Sequence, residues 1–299
     1  MTALDRQPAA DSQTTATSPI TPAAPTTLTT PTTPPSPPSP PSPPSPVAVR
    51  LTGVTKTFGP GKQGSDKDDR APVLEEISLD VAPGEFVCLL GASGCGKSTL
   101  LTLVAGLDQP TRGTVEVPGG HAALMFQEPA LFPWLTAGQN IDLALRLRGL
   151  ASRKERRAET DRLLALVRLE TAYDKRPHQL SGGMRQRVAL ARCLAQDSKV
   201  LLMDEPFAAL DAITRDVLHE ELVRLWEATE LAVVFVTHNV REAVRLGQRV
   251  LLLSSRPGRI VQEWRVELPQ PRRIEDEAVA RLAREITDRL RQEISRHVR

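Results

Sequence analysis

Residues 91–98 read GASGCGKS, between the apolar run FVCLL and the helical pattern STLLTLVAGL, and they fit the pattern G-x-x-x-x-G-K-[ST]. Glycines in such a loop let backbone N–H groups turn towards phosphates, and the following helix adds its positive N-terminal end. Lys97 is expected to reach the β- and γ-phosphates of a nucleotide, and Ser98 is expected to hold Mg²⁺. The predicted phosphate-binding residues are Gly91, Ala92, Ser93, Gly94, Cys95, Gly96, Lys97, Ser98 and Thr99.

A second element is an apolar run that ends in two acids, VLLMDE at residues 200–205. Asp204 is expected to bind Mg²⁺ through water, and Glu205 to orient or deprotonate the water that attacks the γ-phosphate. On its own, such a pair is also typical of a helix cap, with Pro206 starting the next turn. Together with the loop, the pair predicts a Mg-nucleotide site with a general base, which helicases, kinases, GTPases and transporters share.

A third motif, LSGGMRQR at residues 180–187, opens a helical pattern and narrows the class. Ser181, Gly182 and Gly183 form a second helix N-terminus suited to an anion. On these residues the chain resembles the ATPase subunits of ABC transporters, whose signature is LSGGQ, with Met184 where glutamine is commonest. The resemblance implies that Ser181 and Gly183 contact the γ-phosphate of ATP held by another copy. It therefore implies a homodimer.

Further family elements follow in order over roughly residues 47–268. By the resemblance, Phe58 stacks on adenine, although a core or surface aromatic is the alternative. Gln127 resembles the glutamine that touches Mg²⁺ and the attacking water, where an ordinary loop residue is the alternative. Asp211 resembles a residue of the loop that crosses the dimer interface, or is only a helix N-cap. His238 resembles the histidine that hydrogen-bonds the γ-phosphate, or is a structural residue at a strand end.

The elements that must position these residues indicate an α/β fold. Short apolar runs alternate with helical patterns, which is typical of a parallel sheet wrapped by helices. Two earlier alternating runs, VAVRLTGV and EEISLDV, predict two strands. The family resemblance implies that they belong to an antiparallel β subdomain. A helical pattern over about residues 137–170 predicts an inserted helical subdomain, placed at about 128–185. The expected architecture is the P-loop NTPase core of an ABC ATPase.

Three segments differ in composition from this core. Residues 1–46 are rich in Pro, Thr and Ser and predict a disordered tail, with a ligand for a partner domain as the alternative. Residues 59–72 predict an exposed loop. Residues 269–299 predict a C-terminal amphipathic helix that docks on the domain. Its apolar stripe comprises Val279, Leu282, Ile286, Leu290 and Ile294.

Overall composition restricts the partners. The chain has 299 residues, 40% of them hydrophobic, with 38 basic and 36 acidic side chains, for a net charge of +2. This balance creates no field that would draw the chain to nucleic acid. Its apolar runs are shorter than the roughly 18 to 20 residues of a membrane helix, so membrane association is expected through a partner. The start of the chain has no secretory pattern and its three cysteines have no metal spacing, which favours a cytoplasmic setting.

The segment FQEPALFPWLTAGQNI at residues 126–141 resembles the nitrate, sulfonate and taurine importer group. The resemblance implies a separate multi-span permease, a periplasmic or lipid-anchored solute-binding protein, and a peripheral position on the cytoplasmic face of the inner membrane. Trp134 is expected near the permease, and plain packing is the alternative. Import of a pyrimidine precursor and a soluble ABC ATPase are the other candidate functions. A kinase or GTPase would have no reason to carry LSGGMRQR.

Cys95 lies inside the predicted phosphate loop. One hypothesis is that Lys97 and the loop N–H groups lower its pKa, so that alkylation blocks nucleotide binding and ATP protects the thiol. A cysteine that only packs is the alternative.

Overall fold

The computed structural model describes residues 46–59 and 71–296. Residues 1–45 of the predicted tail and residues 60–70 of the predicted loop lie outside this part of the chain. The description below concerns the remaining residues.

A six-stranded sheet forms the centre of the domain, in the order β5-β6-β7-β3-β8-β9. The first five strands of this order are parallel, and β9 pairs with β8 antiparallel. Every residue of β3 and β7 is buried, as expected for strands covered on both faces. The strands are β3 (Phe86–Leu90), β5 (Ala122–Met125), β6 (Val200–Asp204), β7 (Ala232–Val236), β8 (Arg249–Leu253) and β9 (Ile260–Arg265). The predicted α/β class is confirmed.

A second sheet is antiparallel, with three strands in the order β2-β1-β4. Its strands are β1 (Val49–Lys56), β2 (Leu74–Val81) and β4 (Arg112–Glu116). The two alternating runs predicted as strands are β1 and β2. The sequence did not predict β4 or β9, because β4 has no buried residue and β9 buries only Trp264. Without a buried face these strands carry no apolar alternation.

In the described residues, six α-helices precede the C-terminal one. They are α1 (Lys97–Val104), α2 (Ala137–Leu147), α3 (Arg153–Leu166), α4 (Gly182–Leu194), α5 (Ala212–Glu227) and α6 (Val240–Leu246). Helices α2, α3 and α4 pack on one another and enclose Ile141, Leu163 and Val188. Their starts are fixed by side-chain caps from Thr136, Ser152 and Ser181. The helical pattern over 137–170 thus corresponds to α2 and α3.

The C-terminal helix, α7 (Glu277–Arg296), packs along one face. Val279 and Ile286 are buried, and Leu282 and Leu290 pack against the same core, whereas Ile294 is 40% exposed. Four residues of the predicted stripe therefore dock on the domain, and the last does not. In the described part of the chain, no helix combines the length and the apolar content needed to cross a membrane.

Candidate nucleotide site

Four neighbouring parallel strands bring the predicted site residues to one edge of the sheet. Strand β3 leads into residues 91–98, β5 is followed by Gln127, β6 ends at Asp204 and Glu205, and β7 is followed by His238. Because parallel strands share their carboxyl edge, these residues lie along one side of the sheet. Open α/β sheets bind their ligands outside this edge.

The predicted phosphate loop has the backbone that its glycines predict. Gly94 and Gly96 have φ values of 77° and 98°, which residues with side chains rarely adopt. A β-carbon on Gly96 would lie 2.6 Å from Cδ2 of Leu74, so the chain also leaves no room for one. Gly96 precedes α1 without a side-chain cap. The N–H groups of the first turn are therefore available to an anion.

Lys97 is held against this loop. Its Nζ donates to the carbonyl oxygens of Gly91 at 2.9 Å and Ala92 at 3.0 Å, and the residue is 6% exposed. Ser98, the next residue of α1, is exposed, and Thr99 is half-buried. The arrangement fixes one positive charge inside the loop and leaves the Ser98 hydroxyl accessible.

Cys95 is buried in the loop and does not have the character of a reactive thiol. Cys95 is 1% exposed, and its Sγ lies 3.9 Å from Nζ of Lys97. Burial raises the pKa of Cys95, and the opposing effect of Lys97 is smaller. The hypothesis of a lowered pKa is therefore wrong, and the packing alternative agrees with the structure.

All three thiols of the native chain are expected to react slowly with a disulfide reagent at neutral pH. Burial raises the pKa of Cys193 to about 12 and that of Cys88 further, and only the thiolate attacks. The measurement is thiol release with dithiobisnitrobenzoate before and after unfolding in guanidinium chloride. Cys95→Ser should keep the slow native rate and lose one equivalent after unfolding. A fast native phase that this variant lacks would contradict the assignment.

Asp204 faces Ser98. Burial raises the pKa of Asp204, and a hydrogen bond with the Ser98 side chain and the charge of Lys97 oppose that rise. A hydroxyl and a carboxylate oxygen are donors that suit a hard divalent cation. The Gln127 side chain makes no hydrogen bond with another described residue, so the structure does not join it to this pair.

Glu205 and His238 form a second pair. The Nδ1 atom of His238 lies 2.8 Å from Oε2 of Glu205, and the two side chains are 63% and 21% exposed. Glu205 has a φ of 43°, and its N–H donates to the carbonyl of Val236 at 3.0 Å. The carboxylate is thus turned towards the imidazole rather than towards a helix end. The capping alternative for Glu205 does not agree with these contacts.

The LSGG residues lie at the start of α4. Ser181 is exposed and its Oγ accepts a hydrogen bond from the Met184 N–H at 3.2 Å. A β-carbon on Gly183 would lie 2.7 Å from Cγ2 of Thr214, so the close packing of Thr214 favours a glycine at this position. Among the described residues, no hydrogen bond or ion pair joins residues 181–183 to residues 91–99.

Asp211 caps a helix. Its Oδ1 accepts a hydrogen bond from the Thr214 N–H at 2.9 Å, and this bond holds the pKa of Asp211 below its usual range. The helix begins at Ala212. The N-cap alternative is therefore realised, and the role at a dimer interface stays a prediction.

Phe58 is not a core residue. Its side chain is 50% exposed, and Nζ of Lys56 lies 5.1 Å from the ring centroid. Lys56 is itself fixed by Asp108 at 2.7 Å. An exposed ring directly after β1 is compatible with stacking on a base, and that role also stays a prediction.

Two residues that the sequence did not single out hold the segment after β5. Gln186 donates from Nε2 to the carbonyl of Gln127 at 3.0 Å. Arg192 donates to the carbonyls of Ala130 at 2.7 Å and Pro129 at 2.9 Å. Both lie on α4, so the helix that begins at the LSGG motif positions the backbone of Gln127. The available signal was Arg192 within the otherwise apolar run VALARCLA.

A buried carboxylate connects two further segments. Glu242 accepts a hydrogen bond from Oγ1 of Thr237, the residue before the strand-end histidine. Its Oε1 lies 3.6 Å from Nε of Arg215. Arg215 donates to the carbonyls of Leu210 at 2.7 Å and Phe207 at 3.2 Å. Glu242 therefore positions the ends of β7 and of the segment that precedes α5, which the sequence alone did not indicate.

The fold and these strand-end residues define a P-loop nucleotide-binding protein. A similar solved structure is the dimeric structure of a post-hydrolysis state of the ATP-binding cassette MJ0796 bound to ADP and Pi. It is 34% identical, with a TM-score of 0.63, and the match covers 74% of this chain and 100% of that one.

Sequence comparisons specify the family. The ABC transporter family model matches residues 74–208. The nitrate import ATP-binding protein NrtD of Synechocystis sp. is 46% identical over 228 residues, covering 74% of this chain and 83% of the relative. The taurine import ATP-binding protein TauB of Mesorhizobium japonicum is 49% identical over 201 residues, covering 65% and 78%. The chain belongs to the ABC transporter family, as an ATP-binding and ATP-hydrolysing subunit.

Proposed function

We propose that this chain powers the import of nitrate, a sulfonate or a taurine-like solute through a separate multi-span permease. One observation supports ATP hydrolysis by this chain: the phosphate loop, two acids and a histidine follow strands at a single edge of the sheet. The import part is supported by the nitrate and taurine import relatives and by the segment around Trp134. A pyrimidine precursor is the alternative solute.

Mg²⁺ fits the residues present. The Ser98 hydroxyl and the partly buried Asp204 carboxylate would hold it, with Gln127 as a third oxygen donor from the neighbouring strand end. When bound with ATP, the ion would neutralise phosphate charge. The residues themselves supply the other parts of the reaction. Lys97 binds the phosphates, and the loop N–H groups orient them.

Glu205 acts as the general base in this proposal. Its carboxylate is at the end of β6, next to the acid that faces Ser98, and its 2.8 Å contact with His238 orients it. It accepts a proton from the attacking water, and His238 hydrogen-bonds the γ-phosphate. A carboxylate placed in this way contributes to the rate only when water and phosphate are both aligned.

A second copy of the chain completes each site. Ser181, Gly182 and Gly183 are at the N-terminal end of α4, which suits a phosphate of ATP held by the partner. Asp211 lies in the segment that would cross the interface, and Phe58 would stack on the adenine. The exposed position of Ser181 and its lack of contacts with residues 91–99 support a site shared between two chains.

The permease would dock on an apolar groove beside the segment that follows β5. The groove has a volume of about 680 Å³ and borders Ala130 and Arg192, which are hydrogen-bonded to each other. Its apolar walls include Phe126, Phe132, Leu143 and Leu147. Trp134 is 67% exposed, and its ring lies 5.5 Å from that of Phe132. Through this contact the chain would lie peripherally on the cytoplasmic face of the inner membrane.

Leu147→Lys is expected to abolish assembly with the permease without changing the ATPase activity of the isolated chain. Leu147 is 78% exposed at the end of α2, so the substitution places a charge in the groove at little cost to folding. Copurification with a candidate permease produced in the same cells is the measurement. Leu107→Lys is the matched control, because Leu107 is 64% exposed and does not line the groove. Normal assembly of Leu147→Lys would remove the groove from the docking proposal.

The solute is tested on a candidate solute-binding protein that assembles with the chain and its permease. A thermal-shift screen against nitrate, taurine, alkanesulfonates and pyrimidine precursors should give one stabilising class. That solute should then stimulate ATP hydrolysis by the reconstituted transporter. Hydrolysis that no permease stimulates would favour the alternative of a soluble ABC ATPase that acts on DNA or ribosomes.

A further inference from the structure

Arg256 lies at the same edge of the sheet as the nucleotide site. It follows β8, the fifth parallel strand, which pairs directly with β3. The ends of the other four parallel strands all carry residues of the proposed site, and Arg256 holds the corresponding position after the fifth. Its side chain is exposed and, in the part of the chain that the structure describes, has no acidic or hydrogen-bonding partner. Arg259, by contrast, is paired with Glu75 at 2.7 Å.

The guanidinium of Arg256 lies against the phosphate loop. A β-carbon built on Gly94 would be 3.3 Å from Nη2 of Arg256, 3.8 Å from Nε and 4.0 Å from Cζ. Gly94 and the preceding Ser93 are the exposed residues in the middle of the loop. A positive charge that has no partner among the described residues therefore lies beside the loop that must bind an anion.

The turn that carries Arg256 is fixed on the loop. Oγ of the buried Ser254 donates to the Pro257 carbonyl at 2.6 Å and accepts from the Arg259 N–H at 2.8 Å. A β-carbon on Gly258 would lie 2.2 Å from the carbonyl oxygen of Cys95, so the turn packs directly on the loop backbone. These contacts hold the backbone of the turn that carries Arg256 against the loop.

We propose that Arg256 binds the polyphosphate of ATP as a second cation beside Lys97. This proposal rests on the proposed function of the loop and adds a nucleotide-binding residue to it. A guanidinium presents several N–H donors in one plane and matches phosphate oxygens well. Lys97 is held inside the loop by two carbonyls, whereas Arg256 reaches it from outside.

The test compares the nucleotide affinities of three variants. Arg256→Gln should raise the Kd for ATP about fivefold, as expected for one exposed charge pair. The increase should be smaller for ADP and smallest for AMP, because it follows phosphate charge. Arg256→Lys should restore most of the affinity. Arg259→Gln is the matched control from the same turn and should bind ATP as the unaltered chain does. Equilibrium dialysis at two salt concentrations gives all of these values.

Several results would overturn the proposal. One is an unchanged Kd for ATP in Arg256→Gln, and another is an equal loss for ATP and AMP. If the Kd is unchanged but ATP-dependent dimerisation is lost, Arg256 does not bind the nucleotide of its own chain and acts at the contact with a second copy instead. If Arg256→Gln melts at a lower temperature, Arg256→Lys decides. An Arg256→Lys variant that is fully folded but binds ATP as weakly as Arg256→Gln would overturn the proposal, because a charge that contacts phosphate is kept in this substitution. Failure of the unaltered chain to bind ATP would count against the proposed function itself.

Discussion

Glu205→Gln is expected to bind ATP as tightly as the unaltered chain and to hydrolyse it at least about 100-fold more slowly, which is the contribution of a positioned base. The substitution preserves the shape of the side chain and its ability to hydrogen-bond His238, 2.8 Å away. It removes the negative charge and, with it, the capacity to accept a proton. The measurement is phosphate release by the purified chain, with ATP affinity determined in parallel.

Glu227→Gln is a matched control for this substitution. Glu227 is the last residue of α5, at the opposite end of that helix from Asp211, and Glu227→Gln should keep full activity. Near-normal hydrolysis by a pure, stoichiometric preparation of Glu205→Gln would remove Glu205 from the role of base. An equal loss of ATP affinity and turnover would instead show that the carboxylate supports binding rather than the chemical step.

The strand-end positions could be predicted from the sequence because parallel strands buried on both faces leave continuous apolar runs. The runs that became β3, β6 and β7 show this clearly, and each is followed within two residues of its last apolar side chain by a residue of the proposed site. The sheet order, in which β3 lies between β7 and β8, brings those ends together. That order was not predicted from the sequence, because no local pattern encodes which strands become neighbours.

The contacts that position the site could not be predicted, because they join residues far apart in the chain. Gln186 reaches the carbonyl of Gln127 across 59 residues, and Arg256 reaches Gly94 across the sheet edge. Neither contact leaves a periodic signal. The chemistry of Cys95 was predicted wrongly for a related reason. The sequence shows its charged neighbour Lys97, but the burial that dominates its pKa comes from tertiary packing.

Ser181 provides the strongest test of a site shared between two chains. Ser181→Arg should leave ATP binding through Lys97 and Ser98 intact, yet place a bulky charged side chain where the partner's phosphate would lie. It also removes the cap of α4, at a cost of about 1 kcal/mol. Ser152→Arg is the matched control for that cost. Ser152 caps α3 in the same way, through the Glu155 N–H at 3.3 Å, and lies outside the LSGG motif.

Mixing Ser181→Arg with Lys97→Ala should restore ATP-dependent dimerisation that neither variant shows alone. A heterodimer of the two places both lesions in one shared site. The other site then combines the intact phosphate loop of the first chain with the intact LSGG motif of the second. Light scattering with ATP across a range of mixing ratios measures the recovery, which should be greatest near equal amounts because the heterodimer is then most abundant. No recovery at any ratio, together with full ATPase activity of Ser181→Arg alone, would mean that each chain contains a complete site.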